Sequence, residues 1–152
     1  MESSIGLGFT FIHLPLSVKL LYFPATGVVS DGKDPRAGRH PAYLAPELLN
    51  PSPTSTATKA TDAYSFGVMM NEVLSGAQPF RGLDDADIVL AVHDRSERPR
   101  GFIHEVEDGV SVELRELIAR SWHEDPGRRP SLAVLSMTLH RIAAWLGVDP
   151  RA

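Results

Sequence analysis

The sequence predicts a mainly α domain with a small β element near its N-terminus, and three features carry that expectation. Between residues 61 and 80, Tyr64, Phe66, Val68, Met69, Met70, Val73 and Leu74 leave hardly any helical face polar. A surface helix shows one apolar stripe, whereas a helix apolar on most faces is normally buried. Further on, two stretches opening at Ser111 and Ser131 repeat apolar residues at helical spacing. Near the start, residues 9–12 and 18–23 are short runs rich in aromatic and β-branched types, parted by the turn-prone Leu14-Pro15-Leu16-Ser17, and read as two strands.

In chain order, the strands lead into a loop over residues 24–40, punctuated by Pro24, Gly27, Gly32, Pro35 and Gly38. Pro46 suits a first helical position, so residues 47–50 can form one turn. Residues 50–59 form a polar, low-complexity linker whose threonines and serines need no functional explanation. The central helix begins with the oxygen-bearing Thr61 and Asp62, has Gly76 where a left-handed cap belongs, and cannot continue past Pro79. Asp84 or Asp85 caps a helix carrying Ile88, Val89 and Val92 and ending near His93. Residues 97–108 form a polar loop. Ser111 caps the helix bearing Leu114, Leu117, Ile118 and Trp122, which Pro126-Gly127 ends. Ser131 caps the last one, with Leu132, Leu135, Leu139, Ile142, Ala143 and Leu146 on one stripe and Gly147 at its close.

The 152 residues, 43% hydrophobic and 22% charged, suit a single domain with a sizeable core. A net charge of -4 and the lack of a basic run argue against a nucleic-acid footprint. With no cysteine there is neither a disulfide framework nor thiolate chemistry, which fits a reducing compartment and a cytoplasmic location. Residues 5–24 are fairly apolar but lack a basic start and are interrupted by Gly6, Gly8, His13, Pro15 and Lys19, unlike a leader. The apolar run at 64–74 falls short of the roughly 20 residues that cross a bilayer, so no membrane partner is expected. His13, His40, His93, His104, His123 and His140 show no metal-ligand spacing, and no Gly-x-Ser-x-Gly or Cys/His nucleophile pattern occurs.

Three segments, in this order, resemble the C-terminal lobe of eukaryotic-type protein kinases. Pro41-Ala42-Tyr43-Leu44-Ala45-Pro46-Glu47 is similar to the end of the activation segment. Asp62-Ala63-Tyr64-Ser65-Phe66-Gly67-Val68, with Glu72 and then Leu74-Ser75-Gly76 through Pro79-Phe80, resembles the central helix of that lobe. The run from Trp122 through Asp125-Pro126-Gly127-Arg128-Arg129-Pro130 is similar to the turn ending its penultimate helix, in the manner of tyrosine-kinase-like Ser/Thr kinases. The resemblance covers about residues 16–146. It implies a kinase-like lobe over 16–147, with a divergent or foreign segment at 1–15 and a tail at 148–152. Ala45, Pro46, Glu47, Asp62, Gly67, Trp122 and Arg129 would be its structural positions, and Pro41, Ala42 and Tyr43 its substrate loop. It also implies that Glu47 and Arg129 form a buried ion pair, Arg128 being the less suitable partner; on sequence alone both would be solvated surface charges. Asp62 has two readings: a local helix cap, and the family's anchor for the catalytic loop.

Phosphoryl transfer in that family uses ATP and magnesium, a glycine-rich cover, a lysine on the phosphates, an aspartate for the substrate hydroxyl and ligands for the metal. Gly6-Leu7-Gly8 lacks a third glycine and reads as a turn. Val18-Lys19-Leu20 matches the strand before the magnesium motif. Leu21 and then Tyr22-Phe23-Pro24 follow, so that Tyr22 replaces the magnesium-binding aspartate and Pro24 the flexible glycine. A phenol is a poor substitute for a hard carboxylate ligand. Asp31-Gly32 is a second candidate remnant, although it leaves a much shorter segment before Ala45. No aspartate precedes Asp31 and no His-Arg-Asp occurs in residues 1–17, so neither a catalytic residue nor a cofactor is expected for this chain.

Two readings compete. In one, the chain is a pseudokinase or scaffold lobe whose partner is another protein or the small lobe it lacks. In the other, it is a truncated or misassembled piece of an active Ser/Thr kinase. A helical interaction domain with an accidental likeness is a third. Apolar surface left on the segment at 9–23 would make the chain marginally stable or prone to associate.

Overall fold

A computed structural model describes residues 40–50, 56–101 and 109–147. The two expected strands, the loop up to residue 39, the segment 1–15, Tyr22-Phe23-Pro24 and the tail 148–152 lie outside the described residues. Within them the chain is helical, with no strand.

A 3₁₀ turn at Pro41–Tyr43 leads to the single helical turn α1, Pro46–Leu49, which has proline at its first position. The hub is α2, Lys59–Ser75. It starts earlier than its sequence suggests. Thr58 is the cap: its Oγ1 accepts from the backbone N–H groups of Ala60 at 3.2 Å and Thr61 at 3.3 Å, while the Thr61 hydroxyl accepts from the Thr58 N–H at 2.9 Å. A capping box usually pairs a Ser or Thr cap with Glu or Gln three residues on, and here a second threonine closes it. Thr58 and Lys59 therefore belong to the helix and not to the linker. Asp62 is not the cap; it is exposed in the first turn, where a carboxylate still faces the positive end of the helix dipole. At the other end Gly76 adopts φ 65° and returns its N–H to the Glu72 carbonyl at 2.8 Å, a conformation that a side chain would oppose.

The expectation that α2 is buried all round is corrected by one face. Tyr64 and Val68 are sealed in the main core with Leu48, Leu49, Ile88, Val92, Ile118 and Trp122, and Ala63 joins Leu117 and Leu135 in a second cluster. Met69, Val73 and Leu74 face outward, Val73 with 67% of its surface exposed. An apolar count cannot distinguish a helix enclosed on every side from one whose last face meets nothing described.

Helix α3, Asp85–Val89, is capped by Asp84, which accepts from the Asp87 N–H at 2.8 Å, and runs into a π turn over Leu90–Asp94. The loop beyond is less polar than expected, because Pro99 is fully buried. Helix α4, Gly109–Ser121, begins two residues before Ser111, so Ser111 lies inside it and is not its cap. It lies along α2 and gives Leu117 and Ile118 to the cores. A 3₁₀ turn at Pro126–Arg128 separates it from α5, Leu132–Trp145, whose cap is Ser131. The expected α5 stripe is real only in part: Leu135 and Ile142 are buried, but Leu132 and Leu146 are exposed. No helix among the described residues is long and apolar enough to cross a membrane.

Candidate functional site

The most heavily bonded side chain among the described residues joins positions 82 residues apart. Arg129 sits on the turn after α4 and Glu47 on α1. Their contact is bidentate, with Nη1 on Oε1 at 2.7 Å and Nη2 on Oε2 at 2.9 Å. The remaining N–H groups also find acceptors: Nε donates to the His123 carbonyl at 2.7 Å, Nη1 to that of Ala60 at 3.0 Å and Nη2 to that of Glu124 at 3.1 Å. The Arg129 side chain is 0% exposed. One planar fork thereby binds α1, the start of α2 and the turn after α4, a geometry lysine could not reproduce. Arg128 is exposed and takes no part.

Tyr64 packs beside this clamp, its ring centroid 5.2 Å from the Arg129 guanidinium and 5.4 Å from that of Arg98. Arg98 is held by Nε donation to the Trp122 carbonyl at 2.8 Å. Burial pushes the Tyr64 phenol up to about 12, although both arginines pull the other way. Its hydroxyl has no partner among the described residues. The sequence showed Tyr64 as one more apolar residue; two cations against an aromatic face became visible only when distant segments were assembled.

The segment 41–43 is fastened to α2. Pro41 and Ala42 are buried, and the turn is capped by His40, whose Nδ1 accepts from the Ala42 N–H at 3.3 Å. The Tyr43 hydroxyl donates to Glu72 Oε2 at 2.6 Å, and the Ser65 hydroxyl donates to the Tyr43 carbonyl at 2.7 Å. The loop and the central helix thus form one rigid surface. Gly67 lets α2 and α4 approach, since a Cβ there would meet the Ser121 Cβ at 2.8 Å. Trp122 closes the main core. No described residue hydrogen-bonds the Asp62 carboxylate, and residues 1–39 lie outside the described residues.

Burial and the Glu72 contact push Tyr43 up to about 12 from 10.0. A raised folded-state pKa means that the native state keeps its proton while the unfolded chain loses it. The resulting stabilisation is complete below pH 10 and disappears as pH rises toward 12. Tyr43→Phe should lose about 1–2 kcal/mol at pH 8, for the hydrogen bond to a carboxylate, and should decline less steeply above pH 10. Urea midpoints across that range check both; equal slopes for the two proteins would refute the assignment.

Among the described residues no three His, Cys, Asp or Glu side chains cluster to hold a metal ion. His93 meets Asp94 at 2.7 Å, and His123 Nδ1 accepts from the Asp125 N–H at 3.0 Å, both local contacts.

A family model described as protein tyrosine and serine/threonine kinase matches residues 29–139. A probable serine/threonine-protein kinase of Dictyostelium discoideum is 33% identical over 102 residues, 67% of this chain and 10% of that protein. A serine/threonine/tyrosine-protein kinase of Arabidopsis thaliana is 29% identical over 99 residues, 65% of this chain and 23% of its own length. Mitogen-activated protein kinase kinase kinase 11 of Homo sapiens is 31% identical over 103 residues, 68% of this chain and 11% of that one. The chain therefore spans less than a quarter of each of these relatives.

Proposed function

We propose, since the chain belongs to the protein tyrosine and serine/threonine kinase family, that these 152 residues form a kinase-type large lobe that docks a protein partner and does not transfer phosphate by itself. The intact family would bind ATP and magnesium and phosphorylate protein hydroxyls. The observation that carries the proposal is a contrast. Glu47, Arg129, Gly67 and the Tyr43–Glu72 platform keep the frame of the lobe, while we read Tyr22-Phe23-Pro24 as a magnesium motif that has a phenol in place of its carboxylate. A frame whose magnesium motif has lost its carboxylate is suited to holding something against a surface. A protein, or a separate small lobe, is the partner class that suits it, and the cysteine-free composition favours the cytoplasm.

The test is direct. Titration of the 152-residue chain with Mg-ATP, followed by incubation with radiolabelled ATP and a generic protein acceptor, should show neither saturable nucleotide binding nor label transfer. Transfer above a no-protein control sinks the proposal.

A second reading is favoured by the quality of the downstream motifs: the family match begins at residue 29 and runs to 139. On that reading the residues form the large lobe of an active Ser/Thr kinase whose catalytic loop is encoded elsewhere in the gene. The transcript upstream of Met1 decides. An in-frame His-Arg-Asp and a lysine-bearing strand there would establish the second reading and end the first.

A further inference from the structure

At the end of α2 away from the clamp, a cavity of about 450 Å³ opens between the turn after α2 and the segment 97–101. Its lining includes Phe80 and Leu83 together with three arginines, Arg81, Arg98 and Arg100. Three arginines lining one cavity are unexpected in a chain whose net charge is -4, although the Arg98 guanidinium is also drawn toward the Tyr64 ring. The lining holds a single carboxylate, Glu97, and it is engaged by Arg95 Nε at 2.8 Å. Arg81 and Arg100 have no side-chain partner among the described residues, and both are exposed.

Both walls are set in advance. On one, Phe80 adopts φ 54°, a left-handed conformation that opposes a bulky side chain, and the Leu83 N–H returns to the Phe80 carbonyl at 3.0 Å. On the other, the buried Asn71 amide donates to the Arg100 carbonyl at 3.2 Å. Gly101 at φ 143° passes so close to α2 that a Cβ would meet Ser75 at 2.9 Å. Arg98 is fixed by donation to the carbonyls of Trp122 and Glu97, each at 2.8 Å. The backbone of both walls and Arg98 are ordered before a ligand arrives, so that only the Arg81 and Arg100 side chains remain to be ordered on binding.

We propose that this cavity docks an acidic segment of a partner protein, one that sets a carboxylate among Arg81, Arg98 and Arg100 and places an apolar side chain against Phe80 and Leu83. Exposed ion pairs contribute little singly, so a small free anion would gain too little here. A segment that also buries apolar surface gains more, and the lining offers both chemistries. Nucleic acid would need a broad basic surface, which the acidic chain does not supply. The proposal deepens the docking reading but is separable from it: phosphate transfer by the chain would end that reading and leave this cavity untouched.

The probe is a fluorescein-labelled peptide, Glu-Asp-Leu-Phe-Glu-Asp, titrated against the full chain and read by fluorescence polarisation. Saturable binding is expected, weakening about tenfold in the Arg81→Glu/Arg100→Glu variant. A charge-matched variant away from the cavity, Arg120→Glu/Arg128→Glu, should bind as the parent does. Replacing the Leu-Phe pair of the peptide by alanines should also weaken binding about tenfold. Circular dichroism confirms that both variants fold, as exposed substitutions should. Absence of saturable binding overturns the proposal, as does equal weakening in both variants or an alanine-substituted peptide that binds as well. Tighter competition by a single-stranded oligonucleotide overturns it too. So does binding that emerges only after Glu105, Glu107 and Asp108 are neutralised, since the chain's own acidic run would then fill the cavity.

Discussion

Arg129→Ala is expected to destabilise the chain by about 3–5 kcal/mol, the cost of breaking a buried ion pair from one side. For a domain of this size that lowers the melting temperature by about 10 °C or more. The size follows from what the side chain holds. Its loss strands three backbone carbonyls, those of Ala60, His123 and Glu124, as well as the Glu47 carboxylate. The carboxylate can recover some water, since Glu47 is 31% exposed, whereas the guanidinium is 0% exposed. Glu47→Ala should therefore cost at least as much, because it leaves a sealed charge without its counter-ion. Arg129→Lys should recover little, since an ammonium cannot serve both carboxylate oxygens and three carbonyls. A paired replacement, Glu47→Leu with Arg129→Met, removes both charges and should lie closer to wild type than either alanine variant. Urea unfolding followed by circular dichroism measures the series. A loss under about 1 kcal/mol for Arg129→Ala would mean that the pair is no more than a surface contact.

How much of this could be read from the sequence depended on the range of the interaction. Local signals were sound in part: Gly76, Asp84 and Ser131 occupy the caps their residue types suggest, whereas Ser111 lies inside α4. The start of α2 was misplaced because two adjacent segments each offered oxygen-bearing caps, and reciprocal bonding between Thr58 and Thr61 outweighs a carboxylate at Asp62. The Glu47–Arg129 pair is not a product of periodicity. Nothing in either residue's neighbourhood separates a clamp from a solvated charge, and only the likeness to a known fold brought them together. The rigidity of segment 41–43 was hidden for the same reason, since it rests on Glu72 and Ser65 from another element. The arginine cavity gave no signal at all. Arg81, Arg98 and Arg100 sit in two loops that read as ordinary polar connections, and their convergence depends on how α2 ends and where the 97–101 segment returns.

The frame and the open face of α2 are linked by the same packing. Tyr64, Gly67, Val68 and Asn71 are buried, while Met69 and Val73 are exposed, so α2 is half enclosed. The enclosed half is anchored by Arg129 at one end and by the Asn71–Arg100 contact at the other. Rigidity on that side does not depend on what covers the opposite face. A docking role suits such a helix, because the surface it presents is ordered before any partner arrives.

Gly67 is the point at which that packing is tightest, and Gly67→Ala should destabilise although alanine is the better helix former. Replacing glycine within a helix gains about 0.5–1 kcal/mol from the backbone alone. Against this, the new Cβ would lie 2.8 Å from the Ser121 Cβ and 3.4 Å from both the Ile118 carbonyl oxygen and the Trp122 nitrogen. None of these is the end of a flexible chain. Ser121 is buried, and its hydroxyl donates to the Leu117 carbonyl at 2.7 Å, so the side chain cannot swing away and the helices must part. Overpacking of this kind costs about 1–3 kcal/mol, and with three contacts at or inside 3.4 Å the upper half of that range applies, leaving a net loss of about 1–2 kcal/mol for alanine and more for valine. Ser121→Gly removes the obstructing atom. It will itself destabilise by loosening α4, yet in its presence the alanine at position 67 should become neutral or favourable. A double-mutant cycle of urea midpoints should show the paired variant losing about 1–2 kcal/mol less than the sum of the two single losses. Additive effects would show that the α2–α4 contact is looser than this geometry, and that Gly67 is tolerated there without being required.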